Sequence, residues 1–545
     1  MDSSRNVCNA SEWQATVLGT LYHLQEALRN ATTKKNWERV PKKFTPEALF
    51  MICVILIFLI LSLIGSFISA WDAFYKTSPK KRFSLTGSKK TRNDTSKEDS
   101  FEEPDTDWFK SFRKFLDCFC IQKNIRKIFI TTTKTQLDAI NGIRTCVFFW
   151  VLFAHIGTYY VSAVKYPNDD FQTLIMSPIV QLIFDGRIPL EIFFILSGFL
   201  TSLYFCVEYS KKNGNISLLS FCVKRYFRFT QTYVIVLGFY TTLMSYTGYG
   251  PLWPTYNTNP VCKRTWIWNL FYLNIFQKQC EQCLQPSWFL ACSMQMHVIS
   301  PLFLIALIKW PRKGYVFTGV CILGSCLVRF ILIVKFNLIS GCSAIVFYLS
   351  DLKAFYERFF VHVDIIWNKP HTKLSPFLVG LVLGFYLHSK NFTKSSKPNR
   401  IALFYGWMTA AILVAINFFH NNTPEKSAWE TAIYDTLVSL LFYIYISRII
   451  YLCISGQAGW LNDFLSHKYF IPFSRLSFSA YLVNLLVIEW YFLSLEEFIE
   501  YSAVSLVLLN VYLLFWIFVV SFIVAVLFEI PLSRVADLFA KKLKE

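Results

Sequence analysis

Charge is scarce in this chain of 545 residues. Asp, Glu, Lys and Arg make up 16% of it, against 54% hydrophobic and 18% aromatic residues. A water-soluble protein of that length has no use for so much apolar surface, and a mean hydropathy of +0.40 excludes the class. Acids are scarcer than bases, 35 against 54, leaving a formal charge of +19. In a soluble protein that excess would suggest nucleic acid. Here Lys and Arg cluster in short loops between apolar runs, where orientation and lipid headgroups account for them, and no RNA- or DNA-binding motif is present. The fifteen cysteines show no CxxC…CxxC zinc pattern, which leaves no metal site to assign, and most lie inside apolar runs as small hydrophobes. Residues 1 to 40 contain no early apolar h-region, so no signal peptide is read there and the first apolar run is expected to target the chain itself. No convincing inverted or tandem repeat is visible, which disfavours a repeat-built transporter.

What the sequence does have is a series of apolar runs, each about 20 residues long, the length that crosses a bilayer as a helix. They are Ala48–Ala70, Ala139–Ser162, Ile188–Val207, Phe229–Tyr246, Trp288–Trp310, Gly314–Phe336, His371–His388, Ile401–Phe419, Thr431–Tyr451, Phe470–Leu493 and Val504–Phe528. The predicted fold is therefore an all-α polytopic membrane protein of about eleven transmembrane helices. Lys80, Lys81, Arg82, Lys89, Lys90 and Arg92 follow the first run, and the positive-inside rule puts them in the cytosol. The N-terminus then lies outside and the C-terminus, ending AKKLKE, in the cytosol. Residues 171–184 are too short to cross and read as an outer interfacial or re-entrant helix.

The predicted organisation has five parts. Residues 1–47 form a short extracytoplasmic segment, 48–71 the first transmembrane helix, and 72–135 a cytosolic linker, disordered over its Ser-, Thr-, Lys- and Asp-rich first half. Residues 136–530 form a membrane domain of about ten helices, and 531–545 a basic cytosolic tail. Within the linker, Trp108, Phe112, Phe115 and Phe119 recur at helical spacing between Lys110, Arg113 and Lys114. That pattern favours an interfacial amphipathic helix over a calmodulin-type target helix. Cys118 and Cys120, in the same linker, are candidates for palmitoylation. In the outer loop 250–286, Cys262 can pair with Cys280 or Cys283, leaving one free. Sequons at Asn9, Asn30 and Asn421 are predicted to face outward and carry glycan, and those at Asn93, Asn215 and Asn391 to stay unmodified.

The chemistry gathers in four stretches that are odd against the apolar background. The first is QLDAINGIRTCVFFWVLFAH, residues 136–155. In a helix, eleven steps bring His155 to within roughly 20° of the Arg144 face and about 16 Å further along the axis. A fixed cation near one membrane surface and an imidazole near mid-bilayer thus share a face. The bland reading is a histidine packed between helices, but ionisable groups at that depth normally face a polar interior. The second stretch, PLEIFFILSGFL at 189–200, puts Glu191 inside a span, with Ser197 and Gly198 as the small residues that ease helix packing. The third, KRYFRF at 224–229, sets Lys224, Arg225 and Arg228 at a cytosolic boundary, and the fourth, SRLSFSAYLV at 474–483, begins with Arg475. Each arginine can simply anchor a span. Together they suit a phosphate-bearing ligand, because the guanidinium fork matches phosphate geometry, while a histidine and a carboxylate within the bilayer suit general-base work on a hydroxyl or amine.

These residues resemble the acyltransferase-3 family of membrane proteins, and more closely its animal branch, the nose resistant to fluoxetine-like proteins. The LDGIRxxxxxWVxxGH segment of that family is similar to residues 137–155, and its VDTFFxLSGFL to residues 190–200, with Glu191 for Asp. Its RRxxRxxP resembles residues 224–228 without the proline. WYLAxDMQF resembles residues 288–296, with Ser293 at the acidic position. LSRLTYxAYLVH resembles residues 473–484, with Asn484 at the final histidine, and Ala154 replaces the glycine before His155. The resemblance spans residues 130–535. It implies an integral membrane acyltransferase that moves an acyl group from cytosolic acyl-coenzyme A, as co-substrate rather than bound cofactor, to a hydroxyl or amine of a lipid, glycan or small molecule. His155 is then the base or the transiently acylated residue. Glu191 orients the imidazole or the acceptor, and Arg144, Arg225 and Arg228, with Lys224 and Arg475 second, hold the donor phosphates. Membrane lipids and acyl-coenzyme A are the expected partners, and the endoplasmic reticulum or plasma membrane the expected location. A lipid or drug transport protein on the same scaffold is the alternative, in which His155 and Glu191 line a path.

Overall fold

The first apolar run makes a 32-residue helix, α1 (Pro46–Thr77), longer than the run itself because no breaker follows Ala70 and helix continues through Trp71–Tyr75. This computed structural model describes residues 42–77, 107–130, 137–165, 169–250, 252–339, 348, 351–390, 400–421 and 427–542. The expected disordered stretch lies almost wholly outside them, as do Asn9, Asn30, Asn93 and Asn391. After α1 come α2 (Asp107–Asp117), α3 (Ile121–Phe129), α4 (Asp138–Ala163), α5 (Asp169–Met176), α6 (Pro178–Phe184), α7 (Arg187–Lys211), α8 (Leu218–Thr242) and α9 (Pro260–Leu270). Then follow α10 (Trp288–Lys309), α11 (Pro311–Phe336), α12 (Leu352–His362), α13 (Pro370–Ser389), α14 (Arg400–Asn421), α15 (Ala428–Ile433) and α16 (Ser439–Ile454). The chain closes with α17 (Trp460–Leu465), α18 (Phe470–Leu493), α19 (Ala503–Val524) and α20 (Ile530–Lys542).

Among the described residues eight helical stretches are long and apolar enough to cross a membrane: 46–74, 138–163, 187–211, 285–309, 311–336, 428–454, 470–493 and 503–540. The protein is thus helical and suited to several membrane passages. The other three expected spans coincide with α8, α13 and α14: the apolar described stretch of α14, 404–416, is too short by itself to cross, and the described residues of α8 and α13 fall short of that apolarity. The reason is legible in two of them: α8 carries Lys224, Arg225 and Arg228, and α13 carries His371, Lys373 and a mid-helix Pro376. The eleven-span count therefore rests on the apolar runs of the sequence, and the placement of the termini on its charge distribution.

The chain divides into two compact units, one formed by residues 1–51 and 131–522 and the other by 52–130 and 523–545. In the larger unit α4 separates two hydrophobic cores. One of its sides, with Phe148, Leu152, Ile156 and Tyr160, packs with Phe171, Ile175 and Phe184 and with Ile488 and Phe492 of α18. Another side, with Ile140, Ile143 and Val147, packs with Ile195 and Phe199 of α7 and Ile450 of α16. The short run 171–184 is two helices broken at Pro178, which cannot continue α5. Helices α7 and α13 approach at backbone contact: a Cβ on Gly198 would overlap the Phe377 carbonyl, and one on Gly380 the Ile195 carbonyl. Gly198 of the Ser-Gly pair is therefore a packing residue. Cys262 is bonded to Cys283, and Cys280 is disulfide-bonded too, which corrects the expectation that one of the three is left free.

In the smaller unit α2 is amphipathic as expected, with Trp108, Phe109 and Phe112 exposed and Leu116 buried. Cys118 and Cys120 are buried at 3% and 0% exposure, so neither thiol is presented for acylation, contrary to expectation. Residues 530–542 are not a loose tail. They form α20, whose Arg534 donates to the carbonyls of Asp117 and Cys118 and pairs with the Asp117 carboxylate at 2.9 Å.

Candidate functional site

Helix α18 organises the site. Along one side it presents Ser474, Phe478, Tyr481, Asn484 and Glu489, at steps of three to five residues, close to the helical repeat. Ser474 donates to Asn141 Oδ1 of α4 at 3.0 Å, and Thr145 of α4 donates to the Phe470 carbonyl at 3.3 Å. Those bonds fix the register of the two helices. Nearly three turns further on, His155 Nδ1 meets Asn484 Oδ1 at 2.9 Å. The direction of that bond follows from the amide. Asn484 Nδ2 is turned to the carbonyls of Ala480 and Tyr481, which only accept, so the amide oxygen faces the ring. Nδ1 must then carry the proton, and Nε2 keeps its lone pair. Asn484 is itself fully buried, while the imidazole is half-buried.

The cationic part of the site is built around Arg225 on α8. Its guanidinium donates to Thr201 at 3.0 Å and Ser197 at 3.0 Å on α7, and to Ser293 at 2.7 Å on α10. It also lies 3.3 Å from His297 Nδ1, and His297 in turn stacks on Phe221 with centroids 4.1 Å apart. Two of the odd stretches, 189–200 and 224–229, thus meet the 288–296 segment at one side chain. The neighbours are hydroxyls and an imidazole, with no carboxylate among its hydrogen-bond partners in the described residues. Arg225 lies over the Phe229 ring at 5.3 Å, and Phe229 packs on Phe478 of α18 at 5.1 Å. Through that aromatic pair the cation and the imidazole are referred to the same helix. Arg228 is exposed, and its charge reaches both Arg225 and Arg144, so like charges face one another.

Lys224 is placed differently. It is exposed and paired with Glu208 at 3.1 Å, a carboxylate that Lys212 also engages at 2.8 Å. Arg475 is half-buried beside the Ser474–Asn141 joint. Glu191 does not orient His155, and that expectation is corrected. Its carboxylate is paired with Arg329 of α11 at 2.9 Å, and Arg329 also donates to Tyr443 of α16 at 3.1 Å, all three buried. A carboxylate so deep takes the nearest cation, because an unpaired charge there costs several kcal/mol. Glu191 therefore ties three helices together.

Sequence reasoning passed over Arg329, Arg187, Lys373, His362, Asp435 and Glu489. The signal was present for Arg329, a cation well inside the run 314–336, whose other cation, Lys335, lies at its end. Outside the apolar spans, Asp364 accepts from the Gln279 backbone N–H at 2.8 Å, tying the segment after α12 to the disulfide-bonded loop. Burial lifts its carboxyl to about 6, against a smaller opposing effect of that hydrogen bond.

The acyltransferase domain family matches residues 137–533, and the chain belongs to that family, acyltransferase-3. It is similar to "Nose resistant to fluoxetine protein 6" of Caenorhabditis elegans, 26% identical over 461 residues, which cover 78% of this chain and 54% of that protein. It is also similar to "Regulator of hypoxia-inducible factor 1" of the same organism, 23% identical over 455 residues, covering 78% and 85% respectively. The chain thus spans about half the length of the first relative. No solved structure matches.

Proposed function

We propose that the protein transfers an acyl group from acyl-coenzyme A to a hydroxyl or amine of a lipid, glycan or small-molecule acceptor. The observation that carries the reading is the His155–Asn484 pair, which leaves Nε2 unprotonated in a half-buried position. The acceptor O–H or N–H gives its proton to Nε2 as its heavy atom bonds to the thioester carbonyl carbon. The C–S bond then breaks, and the proton passes from the imidazolium to the departing coenzyme A sulfur. Arg225, Arg228 and Arg144 supply cations for the donor phosphates, with Arg475 as a further contributor and Lys224 shared with Glu208. Ser293 supports this role for Arg225. In the family pattern that position is acidic, whereas a serine hydroxyl accepts one hydrogen bond and leaves the positive charge available.

The one-sided placement of Lys and Arg supports about eleven spans, with the N-terminus outside and the C-terminus cytosolic, in the endoplasmic reticulum or plasma membrane. The Cys262–Cys283 bond, on the loop expected outside, agrees with that orientation. Purified protein in nanodiscs, incubated with radiolabelled acyl-coenzyme A and a membrane lipid extract, should release free coenzyme A and label an acceptor. Lipid movement between leaflets without thioester turnover would favour a transport protein instead.

A further inference from the structure

Around Trp367, away from Arg225, lies a second polar cluster that the acyl-transfer reading does not use. Arg187 donates to Asp435 at 2.6 Å, Asp185 at 3.1 Å and Ser439 at 3.2 Å, and Arg329 is paired with Glu191. The acids of the cluster are thus spent on the two guanidinium groups. Lys373 of α13 is 0% exposed, yet its ammonium has no hydrogen-bond partner among the described residues. It stands 5.4 Å over the Trp367 ring, which also packs against His362 and Phe359, each with centroids 6.1 Å apart, and against Trp288 at 6.5 Å. His362 is 3% exposed, and its Nδ1 lacks a partner as well, as does the Nε of Arg329.

The formal charges of three cations and three acids cancel in sum but not in place. Lys373 feels Arg329 and Arg187 against Glu191, and His362 feels Arg329, Lys373 and Arg187 against Asp435. A fully buried ammonium normally costs several kcal/mol unless an acceptor meets it, and here the donors outnumber the acceptors. From these orphaned donors we propose that Lys373 and His362 bind a small monovalent anion, of chloride size, beside Trp367. The enclosure favours a monatomic ion over the carboxylate of a larger substrate. The site is tied to the disulfide-bonded loop, because Asn368, next to Trp367, donates to Gln279 at 2.6 Å. This assignment is independent of acyl transfer.

The test uses the full chain in nanodiscs, with thermal unfolding followed as sodium chloride replaces sodium gluconate at fixed ionic strength. A ligand that binds only the folded state raises the midpoint with concentration until the site fills, and gluconate is too large to enter. Chloride should raise the wild-type midpoint saturably. In Lys373→Met the response should vanish, and the midpoint in gluconate should equal or exceed that of wild type because an unmet charge is gone. His362→Gln, a milder change, should raise the half-maximal chloride concentration several-fold. Identical wild-type midpoints in the two salts would overturn the site without any variant. An unchanged response in Lys373→Met, or in His362→Gln should the first variant fail to fold, would mean chloride acts elsewhere.

Discussion

Replacing Asn484 with Leu removes the acceptor for His155 Nδ1–H while keeping similar volume. The bond is a neutral N–H···O contact of 2.9 Å to an Asn484 side chain that is 0% exposed. Leaving such a buried donor unmet costs about 1–3 kcal/mol. The ring can avoid that cost by rotating or by moving its proton to Nε2, and either escape removes the lone pair from the place where the acceptor proton must go. The whole penalty then falls on the chemical step, a loss of roughly 5- to 150-fold in kcat. Folding should suffer little, because the amide's own donors go to Ala480 and Tyr481 in the same helix. The assay is acyl-coenzyme A turnover at saturating donor, beside a thermal midpoint from the same preparation. Asn484→His, which restores the residue of the family pattern, should retain more activity than the leucine variant. Full turnover in well-folded Asn484→Leu would refute the assignment of the proton to Nδ1.

Other outcomes follow from the same geometry. Arg225→Ala and Arg228→Ala should each raise the apparent KM for the acyl donor by roughly 10- to 150-fold, the worth of a charge-assisted hydrogen bond of about 1.5–3 kcal/mol. Lysine at either position should rescue in part, having the charge without the fork. Glycan should be found by mass spectrometry at Asn9, Asn30 and Asn421 and be absent from Asn93, Asn215 and Asn391; glycan at Asn93 or Asn391 would reverse the topology. Asp364 has a folded value near 6, above its unfolded range, so the native state holds its proton longer than the unfolded state does. Stability should therefore fall as pH rises from about 4 to 6, by at most about 3 kcal/mol, and level off above. Asp364→Asn should flatten that slope in thermal scans.

Helices were legible where composition alone decides them. Every run of about 20 apolar residues became a helix, and the proline at 178 broke the short outer run as its chemistry requires. The neighbourhood of Arg225 was legible in part. Its cation, Ser197 and Ser293 each belong to a stretch that stood out, but nothing local said that they would share one guanidinium. Glu191 shows why. Its partner Arg329 is 138 residues away, and two apolar helices present no periodicity that reveals which faces meet. The same holds for Asn484: read along the chain it is a departure from a pattern, and read across α4 and α18 it is the hydrogen-bond partner of the base. The basic ending looked like a tail because Lys and Arg are usually solvated, whereas the stretch holds Arg534 against the end of α2.

The central claim is that His155 moves a proton in acyl transfer. His155→Gln keeps most of the side-chain volume and a polar group to meet Asn484. Thermal midpoint and acyl-coenzyme A turnover are measured on one detergent-purified preparation of each protein. The account predicts a midpoint near that of wild type and turnover lower by roughly a hundredfold or more, the usual worth of a positioned acid–base group. A well-folded His155→Gln protein with undiminished turnover would contradict it.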